Sequence, residues 1–129
     1  MGLGSSAGKV NSLELLYHGA CKVFWGRGFP IIALCNEANV PYTIKGNDEV
    51  PEDALCFAVP IVSFNGEGIY MSQMPAILEH LGDAVGLGGT THAKKVAVKQ
   101  LILDFVDASA ETISKKLLEN PDRAKKWLG

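Results

Sequence analysis

Residues 59–82 read VPIVSFNGEGIYMSQMPAILEHLG, and this stretch decides the fold. Ile61 to Phe64 is rich in β formers and predicts a strand. Asn65-Gly66 then begins a short turn into a second β-prone run, Ile69-Tyr70-Met71. An Asn-Gly step between two such runs signals a hairpin, because both residues tolerate positive φ. A helix is expected from about Met74, with Ile77, Leu78 and Leu81 inward and Gly82 as its C-terminal stop. Val59-Pro60 opens the stretch. An X-Pro bond is cis at a cost of about 0.5–1 kcal/mol, which makes this a place for a tight turn. The alternative is an ordinary trans proline at the start of an edge strand.

Upstream, Leu13 to Tyr17 is a short apolar run suited to a buried strand. Residues 18–28 hold Gly19, Ala20, Gly26 and Gly28 and read as a loop. Pro30 fits a first helical turn, where its missing N–H costs nothing. Ile31, Leu34, Cys35 and Ala38 then share one helical face. Asn39 and Pro41 end that helix, and Tyr42-Thr43-Ile44 reads as a strand. This is a βαβ unit, for which a right-handed crossover is expected. Residues 46–58 are polar, with two Asp/Glu pairs, and read as a surface loop. The order β-α-β followed by β-β-α makes the fold class α/β, with the element order of a thioredoxin-like domain over 13–82.

The flanks differ in character. Residues 1–12 are Gly/Ser-rich and read as a flexible leader. Within it, Met1-Gly2-Leu3-Gly4-Ser5-Ser6 also fits the N-myristoylation pattern, with Gly2 as acceptor. One acyl chain binds a membrane only marginally, and Lys9 is a weak second signal. Residues 83–90 are a glycine-rich linker. Thr91 caps a long helix whose expected inward face is Val98, Leu101, Ile102, Phe105, Ile113 and Leu117. Asn120 and Pro121 end it, and a further helix is cut off at Gly129. Residues 91–129 thus read as the truncated start of a helical part.

Composition narrows the function. At 129 residues and 47% hydrophobic, the chain can bury a core without disulfides or metal. A net charge of -2 with no basic block points away from nucleic acid. There is no membrane-length apolar run and no visible secretory leader. Cys21, Cys35 and Cys56 are an odd, scattered set, which reads as reduced thiols in a cytoplasmic compartment. His18, His80 and His92 lack ligand-like spacing, so no metal site is expected.

Three stretches, in order, resemble the glutathione transferase superfamily. Gly26-Arg27-Gly28-Phe29-Pro30-Ile31, running on to Ala38-Asn39-Val40-Pro41-Tyr42, is similar to the family's first helix and the entry to its second strand. Val59-Pro60-Ile61-Val62 is similar to the segment that holds its cis-proline. Gln73-Met74-Pro75-Ala76-Ile77-Leu78-Glu79-His80-Leu81-Gly82 is similar to its Gln-Ser-x-Ala-Ile-Leu helix. The resemblance implies glutathione as co-substrate and a small electrophile as its acceptor. It also implies that the Val59 backbone before Pro60 meets the cysteinyl part of glutathione like an added strand. The helix start at Gln73 and Met74 would meet the γ-glutamyl carboxylate, as a partial positive charge suits an anion.

Two residues compete for the sulfur. Tyr17 ends the first strand, where many of these enzymes place a tyrosine whose hydroxyl favours the thiolate, the nucleophilic form. Cys21 lies in Gly19-Ala20-Cys21, which resembles the Gly-Ala-Cys turn of the bacterial cysteine-type transferases. The plain readings are a core aromatic and an inert loop thiol, and no second cysteine follows three residues on to make a dithiol motif. Cys35 and Cys56 read as small buried hydrophobes. Glu111 and Lys115 read as a solvated helix pair. Asp104 and Asp107 read as solvent-facing charges; in some family classes an acidic residue there reaches a ligand on a neighbouring subunit. The sequence departs from the family at three points. Met74 stands where a serine or threonine is usual, the 46–58 loop leaves Lys45 as the only nearby cation, and Tyr17 to Gly26 is longer than in tyrosine-type classes. The resemblance also implies a homodimer. The alternative function is a non-catalytic transferase-like module within a larger protein assembly, and a third is a form of either tethered to a membrane through Gly2.

Overall fold

The computed structural model describes residues 9–22, 24–113 and 122. Strand β1 (Leu13–Tyr17) leads through a 3-10 turn (His18–Cys21) and a second one (Gly26–Gly28) into helix α1 (Phe29–Glu37). Pro30 lies in the first turn of α1, as its fixed φ allows. The helix ends where Asn39 turns left-handed at φ 56, and the Val40 N–H closes back on the Cys35 carbonyl at 2.8 Å. Strand β2 (Tyr42–Gly46) follows and pairs parallel to β1, so the expected βαβ unit is present.

After a 3-10 turn (Asn47–Glu49) the chain reaches strand β3 (Ile61–Phe64), antiparallel to β1, and strand β4 (Tyr70–Ser72), antiparallel to β3. Asn65 and Gly66 take φ of 59 and 65, the backbone that an Asn-Gly turn supplies at little cost. The result is a mixed four-stranded sheet in the order β2-β1-β3-β4, with three described helices. Helix α2 (Met74–Ala84) follows β4, and helix α3 (His92–Ile113) follows a glycine-rich connection.

Side chains alternate across a strand, so one face of the sheet presents Leu13, Leu15, Tyr17 and Val62. Ile31, Ile32 and Cys35 of α1 and Met74, Ile77 and Leu81 of α2 pack on that face, and this is the core. Fully burying side chains of this size contributes about 1.5–3 kcal/mol each relative to exposure. Leu16 and Ile61, on the other face, are also buried. No helix among the described residues is long and apolar enough to cross a membrane.

Four expectations are corrected. Residues 9–12, assigned by composition to the flexible leader, are held by the hairpin: Asn65 Oδ1 accepts the N–H groups of Asn11 at 2.7 Å and Ser12 at 3.3 Å, and Asn65 Nδ2 donates to the Lys9 carbonyl at 2.9 Å. The stop of α2 is Gly86, not Gly82. Gly86 has φ 79, and the Leu87 N–H bonds the Gly82 carbonyl at 2.8 Å, so Gly82 lies inside the helix and is buried. On α3 the inward row includes Val106, which packs on the core, while Leu101 is 66% and Phe105 48% exposed. The Ile113 side chain and Leu117 lie outside the described residues. Cys56 is half-exposed rather than buried. Thr91 does cap α3, its Oγ1 accepting the Lys94 N–H at 3.2 Å.

Candidate functional site

The register of the sheet sets the site. Leu16 pairs with Ile61, and Ile61 pairs with Ser72. One step further along each strand brings Tyr17, Pro60 and Gln73 to the same end of the sheet. The Val59–Pro60 peptide there is cis. The Val59 N–H and C=O have no hydrogen-bond partner among the described residues.

Gln73 precedes α2 with φ 76 and ψ 100, a sparsely populated conformation for a residue with a side chain. Such strain costs of the order of 1–3 kcal/mol and is found where function requires a particular backbone direction. Beyond it, Met74 and Ala76 carry free first-turn N–H groups, while Pro75 has none. The Met74 side chain is 3% exposed and belongs to the core, so the residue offers a ligand its backbone.

Tyr17 is 4% exposed, and its hydroxyl accepts the Arg27 backbone N–H at 3.0 Å. Gly26, at φ 43, lies directly on that hydroxyl; a Cβ there would collide with the oxygen and with the Phe24 ring. The Tyr17 ring meets Phe24 edge-on at 5.7 Å, and His18 stacks on Phe24 at 6.1 Å. Between them, Gly19, Ala20 and Cys21 are all left-handed, with φ of 54, 53 and 62. Two of those three residues carry a Cβ, and each then costs about 1–2 kcal/mol. This strained turn was not legible in the sequence, where the glycines alone marked a loop.

The Cys21 thiol is buried against Gly28, and burial pushes its pKa up. It is held in the protonated form, the opposite of what a nucleophile requires. Lys45 sits one strand over, but it shares a face with Leu16 and Glu14 rather than with Tyr17. Its ammonium pairs with Glu14 at 3.1 Å, and that hydrogen bond and charge hold its pKa up.

Beside this sheet end lies an open cavity of about 350 Å³. Gly26 and Arg27, Met74 of α2, and Phe105, Val106 and Ser109 of α3 line it. Tyr17 is not in the lining; its hydroxyl is in contact with Gly26, which is. The described residues contain no group of three or more His, Cys, Asp or Glu that could hold a metal ion.

No protein-family model matches the chain, and no curated protein matches its sequence. The residues of the site carry the functional argument alone.

Proposed function

We propose that the chain is a thioredoxin-like domain of the glutathione transferase type, which binds glutathione and conjugates it to, or uses it to reduce, a small electrophile. One observation carries this reading. The unpartnered N–H and C=O of Val59, beside a cis-proline, lie at the same sheet end as the strained Gln73 and the first turn of α2. An extended peptide-like ligand would pair with Val59 as an added strand, and its carboxylate would meet the free N–H groups of Met74 and Ala76.

Tyr17 is the residue to activate the sulfur. Its oxygen already accepts the Arg27 N–H, which leaves the hydroxyl hydrogen to donate to a thiolate. In conjugation the thiolate sulfur forms a bond to the electrophilic carbon, and the leaving group departs with its electron pair. Lys45 has no part in this reading, because Glu14 occupies it, and neither has Cys21, because burial keeps it protonated. The reading carries with it a reducing, cytoplasmic compartment and a homodimer.

A second reading, a non-catalytic module in a larger assembly, is favoured by the burial of Tyr17 and the placement of Met74 in the core. Calorimetry with glutathione and a thiol-conjugation assay with 1-chloro-2,4-dinitrobenzene separate the two. Saturable binding with turnover supports the enzyme; binding without turnover supports the module. Absence of binding overturns the glutathione assignment.

A further inference from the structure

We propose that the loop carrying Lys22, Phe24, Trp25, Arg27 and Phe29 docks on the surface of an anionic lipid bilayer. The proposal stands apart from the glutathione reading, since it concerns an outer surface and asks nothing of the site chemistry.

Phe24, Trp25 and Phe29 are close in sequence, and none is buried: they are 49%, 46% and 56% exposed. Single exposed apolar side chains are ordinary, whereas a cluster marks an interaction surface. The backbone keeps these three together. The Gly28 and Phe29 N–H groups both bond the Trp25 carbonyl, at 2.9 and 3.2 Å, so Phe29 returns to within one turn of Trp25. Phe24 meets the Tyr17 ring edge-on and stacks on His18, which is itself exposed. Lys22 and Arg27 interleave with the aromatic residues. Both are exposed, and among the described residues neither makes an ion pair. No Asp or Glu occurs between Glu14 and Glu37, so the loop is a locally positive stretch on a chain of net charge -2. On α3, Asp104 accepts a hydrogen bond from the Gln100 amide at 3.4 Å, and neither it nor Asp107 lines the cavity that Arg27 borders.

Aromatic residues interleaved with Lys and Arg are the composition of a segment that lies in a bilayer interface. The rings enter the headgroup boundary, and the cations are drawn to the anionic lipids of a cytoplasmic leaflet. The leader gives an independent reason to choose a lipid over an acidic protein. Met1-Gly2-Leu3-Gly4-Ser5-Ser6 fits the acylation pattern, and a single acyl chain needs a second signal for stable anchoring. Lys9 is the only Lys or Arg before Lys22, and the loop supplies the cations and apolar area that Lys9 lacks. The chain from Gly2 to Lys9 spans at most about 25 Å, and the strand from the chain's entry to Tyr17 about 13 Å. An acyl group on Gly2 therefore reaches the same bilayer as the loop.

The test uses the full 129-residue chain, left unacylated so that the loop is read alone. A Trp127→Phe background makes Trp25 the only tryptophan. The chain is titrated at low salt, which limits screening, with vesicles of phosphatidylcholine alone or mixed with phosphatidylserine. Co-sedimentation with the mixed vesicles is expected, about tenfold or more stronger than with phosphatidylcholine, together with a blue shift of Trp25 emission. Lys22→Gln with Arg27→Gln is expected to abolish that preference; the pair keeps the backbone N–H that bonds Tyr17. Trp25→Ser is expected to weaken co-sedimentation about tenfold, and circular dichroism checks that each variant keeps the fold. Absence of binding, equal binding to the two lipid mixtures, or binding with Trp25 emission unmoved overturns the proposal. So does a blue shift with soluble poly-glutamate in place of vesicles, which assigns the loop to an acidic protein. A shift that grows with protein concentration alone overturns it as well, in favour of a second copy of the chain. Glutathione is absent throughout, so failure of the transferase reading shows separately, as loss of glutathione binding with vesicle binding intact.

Discussion

The hydroxyl of Tyr17 accepts the backbone N–H of Arg27 at 3.0 Å, which ties the last residue of β1 to the turn that begins α1. One bond therefore fixes both the end of the central strand and the wall of the cavity. Tyr17→Phe leaves the Arg27 N–H without an acceptor, and stability is expected to fall by about 1–2 kcal/mol, read as a lower urea midpoint. On the transferase reading, turnover falls as well while glutathione affinity, measured by calorimetry, is retained. Turnover equal to that of the parent would remove Tyr17 from the chemistry.

Gly26 is constrained twice, by φ 43 and by contact with the Tyr17 oxygen. Gly26→Ala is expected to cost more than the 1–2 kcal/mol of the backbone alone, about 2–3 kcal/mol in all, and to disturb the Tyr17 ring in near-ultraviolet dichroism. Ala20 is the reverse case. At φ 53 it carries a Cβ where glycine is at ease, so Ala20→Gly is expected to stabilise by about 0.5–1 kcal/mol after the added chain entropy is counted.

Burial pushes the Cys35 thiol from its ordinary 9.0 to about 11. A raised folded pKa means that the unfolded chain loses its proton first. This contribution is whole below pH 9 and lost as pH rises from 9 toward 11, by at most about 3 kcal/mol. Urea midpoints for the parent and for Cys35→Ala should diverge at pH 8 and converge by pH 11. Parallel curves across that range would refute the assignment.

Asn65 is expected to be more sensitive than its half-buried place in a turn suggests. Asn65→Ala removes the acceptor for Asn11 and Ser12 and the donor to Lys9, and it places a Cβ residue without local hydrogen bonding at φ 59. A loss of about 1–2 kcal/mol is expected, with faster amide exchange at Asn11 and Ser12. Asn65→Gly relieves the backbone but not the bonds, so exchange there should still quicken.

The parts of the fold that were legible in the sequence are those that local chemistry dictates. Asn65-Gly66 can hardly avoid a hairpin, Pro30 and Asn39 bracket α1, and the Thr91 hydroxyl is placed to cap α3. The failures are those where packing overrides what the local residue types suggest. Gly82 looked like a stop, but Gly86 takes the left-handed position and Gly82 packs inside α2. Leu101 and Phe105 fit a helical stripe, yet the contact with the core is made through Val106, one position round the helix. For the site, Val59-Pro60 was readable as a turn. The backbone donor to Tyr17, ten residues on, and the left-handed run at Ala20 and Cys21 leave no mark in residue identity.

The anchoring of Lys9, Asn11 and Ser12 by Asn65 also settles where the chain enters the domain. It does so beside the β3–β4 turn, at the opposite end of β1 from Tyr17, about 13 Å away along the strand. A biotin, an affinity handle or a fused protein joined ahead of Lys9 is thus attached at the far pole of the sheet. The chain can be immobilised by that end for ligand measurements with Val59, Gln73 and Arg27 left facing solution.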